Sequence, residues 1–280
     1  MRKVNYLFFV FLVSNLFLSS AKNIIQIKGS DTMVNLVQAL AEEYMKKNQE
    51  FIAVTGGGSG TGIGSLISGS ADIVMSSRKI KEKEIELAKK RNIEPFEIPI
   101  ALDGLAVVVH PTNPVTKLTI DELALIFTGK ITNWKELGGE DKKIVILSRE
   151  VNSGTHLYFK EHVLRKNNPN SKEEFAPSAL LLPSSQAIAD EVANNPLAIG
   201  YYGMGYLSKK QKAILVAVDK NSEYFAPTID NVRSGKYPIS RPLFFYTPGE
   251  PKGAIKKFID FVLSEEGQEI VSKTDFVPIK

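Results

Sequence analysis

Ile24-Ile25-Gln26-Ile27-Lys28 alternates apolar and polar residues as a strand does, then passes through Gly29-Ser30-Asp31-Thr32 into an amphipathic stretch ending near Lys47. This strand–turn–helix unit decides the fold, because a strand followed by a helix returns to a parallel neighbour. The pattern repeats along the chain. Phe51 to Thr55 reads as a strand, Gly60 to Ser68 as a helix, Asp72 to Ser76 as a strand and Lys81 to Arg91 as a charged helix. Pro95 to Pro99 and Leu105 to His110 read as two further strands. In the middle, Thr119 caps a helix reaching Phe127, Ile144 to Ser148 is a strand and Ser153 to Val163 a helix. The polar stretch Lys166 to Pro177 is a surface loop, followed by a helix from Ser184 to Asn194 and a strand at Leu197 to Tyr201. Pro242 to Tyr246 is a strong strand, with proline at its start, and Pro251 to Lys273 is helical, weakened at Gly267. The expectation is an α/β protein with a largely parallel sheet and helices on its faces.

Composition narrows the function. The 280 residues are 43% hydrophobic, enough for one or two domains with a sizeable core. The net charge of +4 comes with no long basic run, which argues against a nucleic-acid partner. There is no cysteine, so a disulfide framework, a thiolate metal site and a lipid anchor on an N-terminal (lipobox) cysteine are excluded. Arg2 and Lys3, the apolar run Tyr6 to Val13 and the small residues Ser19-Ser20-Ala21 read as a signal peptide over 1–21, cleaved after Ala21. The alternative is a retained anchor, but the run is shorter than the roughly 20 apolar residues a spanning helix needs. The mature chain is expected to be exported, soluble, periplasmic and near neutral.

Three loops share one design: Gly29-Ser30-Asp31-Thr32, Gly56-Gly57-Gly58-Ser59-Gly60-Thr61-Gly62, and Arg149-Glu150-Val151-Asn152-Ser153-Gly154-Thr155. Each places glycine and hydroxyl residues at an expected helix start, where backbone N–H groups and the positive end of the helix dipole favour an anion. One such loop would be an ordinary Ser/Thr cap. Three in one chain, one with an arginine whose forked donors suit two oxygens, point to a shared anion. The glycine-rich loop lacks the Gly-Lys-Ser/Thr ending of a nucleotide-phosphate loop and does not match the dinucleotide fingerprint. Catalysis finds little support: Ser153 lies in no nucleophile elbow, and His110, His156 and His162 have no metal-helix spacing and read as surface or packing residues. No cofactor, metal or catalytic residue is expected, and Trp134 is read as a packing residue.

These motifs, with Ile126-Phe127-Thr128-Gly129-Lys130-Ile131-Thr132-Asn133-Trp134 and the tail Phe258 to Val271, give a resemblance over the whole mature length. The chain resembles the periplasmic phosphate-binding proteins of ABC phosphate transporters, the PstS family. The resemblance implies a two-lobe binding protein of type II, each lobe a mixed, mostly parallel sheet flanked by helices, with a hinge between them. Lobe one would hold 22–105 and 243–280 and lobe two 106–242, with crossings near Leu105 to Val109 and Leu243 to Tyr246. It implies a non-enzymatic monomer that binds inorganic phosphate in the cleft and delivers it to membrane permease subunits.

The family's ligands map onto Ser30, Thr32, Ser59, Arg149, Ser153, Gly154 and Thr155. Where many members carry an aspartate that accepts the phosphate proton, this chain has Ser77. Asp31 is then the available carboxylate; it either takes that role or caps the following helix. Arg78 is either a second positive group or a solvated helix-start residue, and the second reading is preferred. Two alternatives stay open: another tetrahedral oxyanion such as sulfate or molybdate, and a phosphatase-like enzyme on the same scaffold. A proton-accepting carboxylate would repel fully ionised sulfate, which makes Asp31 the discriminating feature.

Overall fold

The computed structural model describes residues 24–279; the expected signal peptide lies outside them. The first part of the chain alternates β1 (Ile24–Gly29), α1 (Val34–Lys47), β2 (Phe51–Thr55), α2 (Ser59–Ser68), β3 (Ile73–Ser76) and α3 (Glu82–Lys89). A long β4 (Phe96–Val109) leads to β5 (Lys117–Thr119), α4 (Ile120–Phe127), β6 (Val145–Arg149) and α5 (Gly154–Phe159), which a π-turn extends over Lys160–Leu164. Then come β7 (Leu180–Leu182), α6 (Ser185–Asn194), β8 (Ala198–Gly203), β9 (Lys212–Ala213), β10 (Leu215–Ala217) and α7 (Ile229–Arg233). A second long strand, β11 (Ser240–Thr247), precedes α8 (Gly253–Val262) and α9 (Glu265–Lys273).

Nine strands form one mixed sheet in the order β2-β1-β3-β11-β4-β8-β6-β7, with β9 beside β4. The flanks, β2-β1-β3 and β8-β6-β7, are parallel, as the βα units require. The centre is antiparallel, because β4 and β11 traverse it in opposite directions.

The strands expected at Pro95 to Pro99 and Leu105 to His110 are one strand, β4. Ala101-Leu102-Asp103-Gly104 looks like a break because Asp and Gly are depleted in strands. Here the register with β11 continues through them, pairing Asp103 with Arg241 and Gly104 with Ser240, so the buried carboxylate has a partner. Pro242 is the third residue of β11, not its first, and lies outside the Phe244-to-Tyr246 segment that pairs with β3.

Apolar side chains gather in two large cores. One joins α1, β1, β3, α8 and α9 through Met33, Leu36, Tyr44, Phe245 and Phe258. The other surrounds Phe127, Trp134, Phe159 and Tyr201, with Phe159 stacked on Tyr201 at 3.8 Å. Each such buried side chain is worth about 1.5–3 kcal/mol over its exposed state. The cores exchange strands at the centre: Ala101 and Leu243 belong to the first, Leu105 and Ile239 to the second. Trp134 is a packing residue, buried with its indole N–H donating to the Leu197 carbonyl at 3.0 Å. Among the described residues no helix is long and apolar enough to cross a membrane, and no group of three His, Asp or Glu side chains is placed to hold a metal.

Candidate functional site: three helix starts around one buried cluster

Gly29 ends β1 with φ +141°, and a Cβ there would lie 2.1 Å from the Met75 carbonyl oxygen. Only glycine lets the two strand ends approach so closely. The Ser30 N–H then donates to the Met75 carbonyl at 2.8 Å, and the Ser30 hydroxyl meets Ser77, just beyond β3, at 2.8 Å. Ser59, the first residue of α2, accepts from the Ser77 backbone N–H at 3.1 Å. The third loop closes on this pair from the other core: a Cβ on Gly154 would sit 2.4 Å from Ser59 Oγ and 2.7 Å from Ser77 Oγ. Thr32 and Thr155 join the first and third loops, hydroxyl to hydroxyl, at 2.8 Å. Backbone bonds lock the arrangement, from Gly58 N to Gly29 O at 2.8 Å and from Gly60 N to Asn152 O at 2.9 Å.

The nine expected residues therefore lie in one cluster, and Ser30, Thr32, Ser59, Ser77, Arg149, Ser153 and Thr155 are all buried. Ser153 acts as the cap of α5, accepting from the N–H groups of Thr155 at 3.1 Å and His156 at 3.4 Å. The hydroxyl hydrogens have an order. Ser77 Oγ accepts from Ser30, Ser59 Oγ from a backbone N–H and Ser153 Oγ from two; the Ser59 and Ser77 hydroxyls also bond each other at 3.3 Å, so one hydrogen of that pair and the hydrogen of Ser153 are left to donate. A cluster of this polarity is suited to an oxyanion.

Arg149 differs from its expected role. Its Nη2 donates to Asp31 Oδ2 at 2.7 Å and to the Pro183 carbonyl at 2.8 Å, Nη1 to Ser185 Oγ at 3.2 Å and Nε to the Leu182 carbonyl at 3.3 Å. Four of its five N–H donors are thus engaged. A forked clamp on two oxygens is not available, and a single N–H remains. Asp31 likewise does not cap a helix. One carboxylate oxygen takes the Arg149 bond and the other the Gly57 N–H at 3.0 Å, while its backbone carbonyl accepts the Tyr206 hydroxyl at 2.6 Å. Arg78 is not a solvated residue; it is 9% exposed and bonds both oxygens of Glu84, at 2.7 and 2.8 Å.

His156 is buried behind the third loop. Burial pushes its imidazole down to about 4, so the ring is neutral and its Nδ1–H donates to the Arg149 carbonyl at 2.8 Å. His162 is half-buried, stacked on Tyr158 at 3.7 Å.

Sequence reasoning missed several members. Asn152 lay inside a quoted loop, yet its side-chain amide, donating to the Gly57 carbonyl at 2.9 Å, was not singled out. Ser185, at the start of α6, holds Arg149 from a distance of 36 positions. Arg241 and Asp103 form a fully buried ion pair at 2.9 Å that touches Thr155, and no local motif marks either.

Comparison with known proteins gives the family. A family model described as a PBP superfamily domain matches residues 19–266. A phosphate-binding protein PstS of Bacillus subtilis is 36% identical over 261 residues, covering 92% of this chain and 82% of that protein. PstS of Borreliella burgdorferi is 31% identical over the full length of both. Among solved structures, a Clostridium perfringens protein described as a phosphate ABC transporter substrate-binding protein, with phosphate bound, superposes with a TM-score of 0.82. It is 36% identical, and the match covers 92% of this chain and all of that one. The fold, the three convergent loops and these relatives together show that the chain belongs to the PstS family of phosphate-binding proteins, within the PBP superfamily.

Proposed function

We propose that this chain captures inorganic phosphate at the Ser30–Ser59–Ser77–Thr155 cluster and delivers it to the membrane subunits of an ABC importer. The observation that carries the reading is the convergence of three separate helix starts on one buried point, with one hydroxyl hydrogen of the Ser59–Ser77 pair and that of Ser153 left to donate. A dehydrated oxyanion needs that many fixed donors to replace its water.

Two lobes close on the ion. We assign 22–105 and 243–280 to one and 106–242 to the other; the exchange of core between Ala101 and Leu105 and between Ile239 and Leu243 supports this division to within a few residues. The bonds from Gly60 to Asn152, Thr32 to Thr155 and Tyr206 to Asp31 then run from lobe to lobe, and these are the contacts an opening motion would break. The chain works as a monomer in the periplasm after loss of residues 1–21, and it carries out no chemistry on its ligand.

Sulfate remains a second reading for one reason: both Asp31 oxygens already receive donors, so the cluster is rich in donors and its one carboxylate is engaged. Isothermal titration calorimetry with phosphate and sulfate separates the two. We expect one phosphate per chain at micromolar affinity or tighter, about −8 kcal/mol or better, and at least tenfold weaker sulfate. Equal or tighter sulfate binding, or no phosphate heat, would overturn the assignment.

A further inference from the structure

Arg241 of β11 and Asp103 of β4 face each other in register where the strands pass between the two cores. Both side chains are buried, 1% and 0% exposed. Arg241 grips one carboxylate oxygen with Nε at 3.2 Å and Nη2 at 2.9 Å, and the other oxygen accepts the Met204 N–H at 3.1 Å. Nη2 also donates to Thr155 Oγ1 at 2.9 Å.

Guanidinium geometry gives that contact a direction. Arginine has donors and no acceptor, so Thr155 Oγ1 accepts from Arg241. The single Thr155 hydroxyl hydrogen must then be donated onward, to Thr32 Oγ1 at 2.8 Å or to a bound oxyanion. If Thr32 accepts, its own hydrogen is in turn released to donate. Nε and Nη2 occupy the edge facing Asp103, so it is the outer hydrogen of Nη2 that goes to Thr155. Nη1 is buried without a hydrogen-bond partner, and the guanidinium lies over the Tyr158 ring, 5.4 Å from its centre. A buried charge pair placed only for packing has no need of this alignment, since apolar residues of similar volume stabilise as well or better.

We propose that Arg241, held by Asp103, is a positioning residue of the anion site: it fixes Thr155 as a donor, either directly to the bound oxyanion or to Thr32, whose own hydrogen then reaches it. The inference rests on the reading of this cluster as the phosphate site. It places a second arginine–aspartate pair behind the hydroxyls, on the strands that link the two cores, and makes donor polarity the device by which those strands take part in binding.

The test is a cycle read by calorimetry with inorganic phosphate. Asp103→Leu with Arg241→Met replaces the pair by apolar residues and removes the donor without stranding a charge. We expect phosphate affinity about tenfold weaker or more, the loss of a hydrogen bond to a charged group. Thr155→Val alone should show a comparable loss, and combining it with the double variant should cost little more, because both changes remove the same device. Melting without phosphate confirms that each variant folds; if the double variant does not, Arg241→Lys, which keeps the charge and loses the fork, takes its place in the cycle. Wild-type affinity in the pair-replaced protein, or losses that multiply independently, would overturn the proposal while leaving the phosphate site intact. Absence of phosphate binding by the wild type would instead remove the reading beneath it.

Discussion

Two arginine–aspartate pairs bracket the hydroxyl cluster, and they are built differently. Arg149–Asp31 joins two loops; its arginine is buried but the Asp31 side chain is 15% exposed, and the guanidinium is shared among Asp31, two carbonyls and Ser185. Arg241–Asp103 joins two neighbouring strands, is shut off from solvent on both sides, and burial pushes the Asp103 carboxyl up while opposing the charge on Arg241. Without Asp31, Arg149 keeps its bonds to Ser185 and to the Leu182 and Pro183 carbonyls. Without Asp103, the buried Arg241 keeps only its bond to Thr155, so breaking the second pair on one side carries the larger structural penalty. The same two residue types thus join two loops in one place and two paired strands in the other.

The largest expected effect comes from breaking the interior pair on one side only. Asp103→Ala strands a buried guanidinium, and a loss of about 3–5 kcal/mol in unfolding free energy is expected by denaturant titration without phosphate. Asp31→Ala should lose much less in the same assay. Equal losses would erase the distinction between the pairs.

Next in size is Arg149→Ala. On the proposed assignment its remaining donor and its hold on Asp31 serve the ligand, so phosphate affinity should fall by about 2–5 kcal/mol, with a smaller change in stability. Calorimetry beside thermal melting separates the two; unchanged affinity would remove Arg149 from the site.

A smaller effect is expected for Asp31→Asn, which keeps size but weakens the bond to Arg149. Phosphate binding should weaken by about 1–2 kcal/mol, in line with a hydrogen bond between charged groups. If Asp31 also takes the phosphate proton, sulfate should compete better in this variant; an unchanged phosphate-to-sulfate ratio would restrict Asp31 to holding Arg149.

The smallest is a pH effect through His156, which bonds the Arg149 carbonyl. Its folded-state value is depressed from 6.5 to about 4, so the unfolded chain binds more protons between those values. The stabilisation is therefore fully present above about 6.5 and is lost as pH falls toward about 4. Melting temperature should decline over that window, and His156→Gln should decline less steeply. Parallel declines would place the titrating group elsewhere.

What could be read from the chain in advance was local. Ser30, Ser59 and Ser153 stand at helix starts, and the signal, glycine beside a hydroxyl between a strand and an amphipathic run, lies within a few residues. Gly154 was reached because it belongs to a loop of that kind; Ser77, which it meets across 77 positions, was reached only through the family resemblance, as the residue standing in the place of an aspartate. What could not be read depended on register. Asp103 resembled a turn residue until its opposition to Arg241, 138 positions away, made it a buried partner, and the continuity of β4 was missed for the same reason. The engagement of Arg149 was also hidden, because Leu182, Pro183 and Ser185 reach it from the β7–α6 connection. Sequence marks where donors begin, but it does not say how many are already spoken for.

The central claim is that the three loops hold one phosphate. A crystal structure of the phosphate complex tests it most directly. The account predicts a single phosphate whose oxygens lie within hydrogen-bond distance of the Ser30, Ser59 and Thr155 hydroxyls, the Gly154 backbone N–H and Arg149, beyond reach of solvent. Phosphate bound elsewhere, or contacting loops of one core alone, would contradict it.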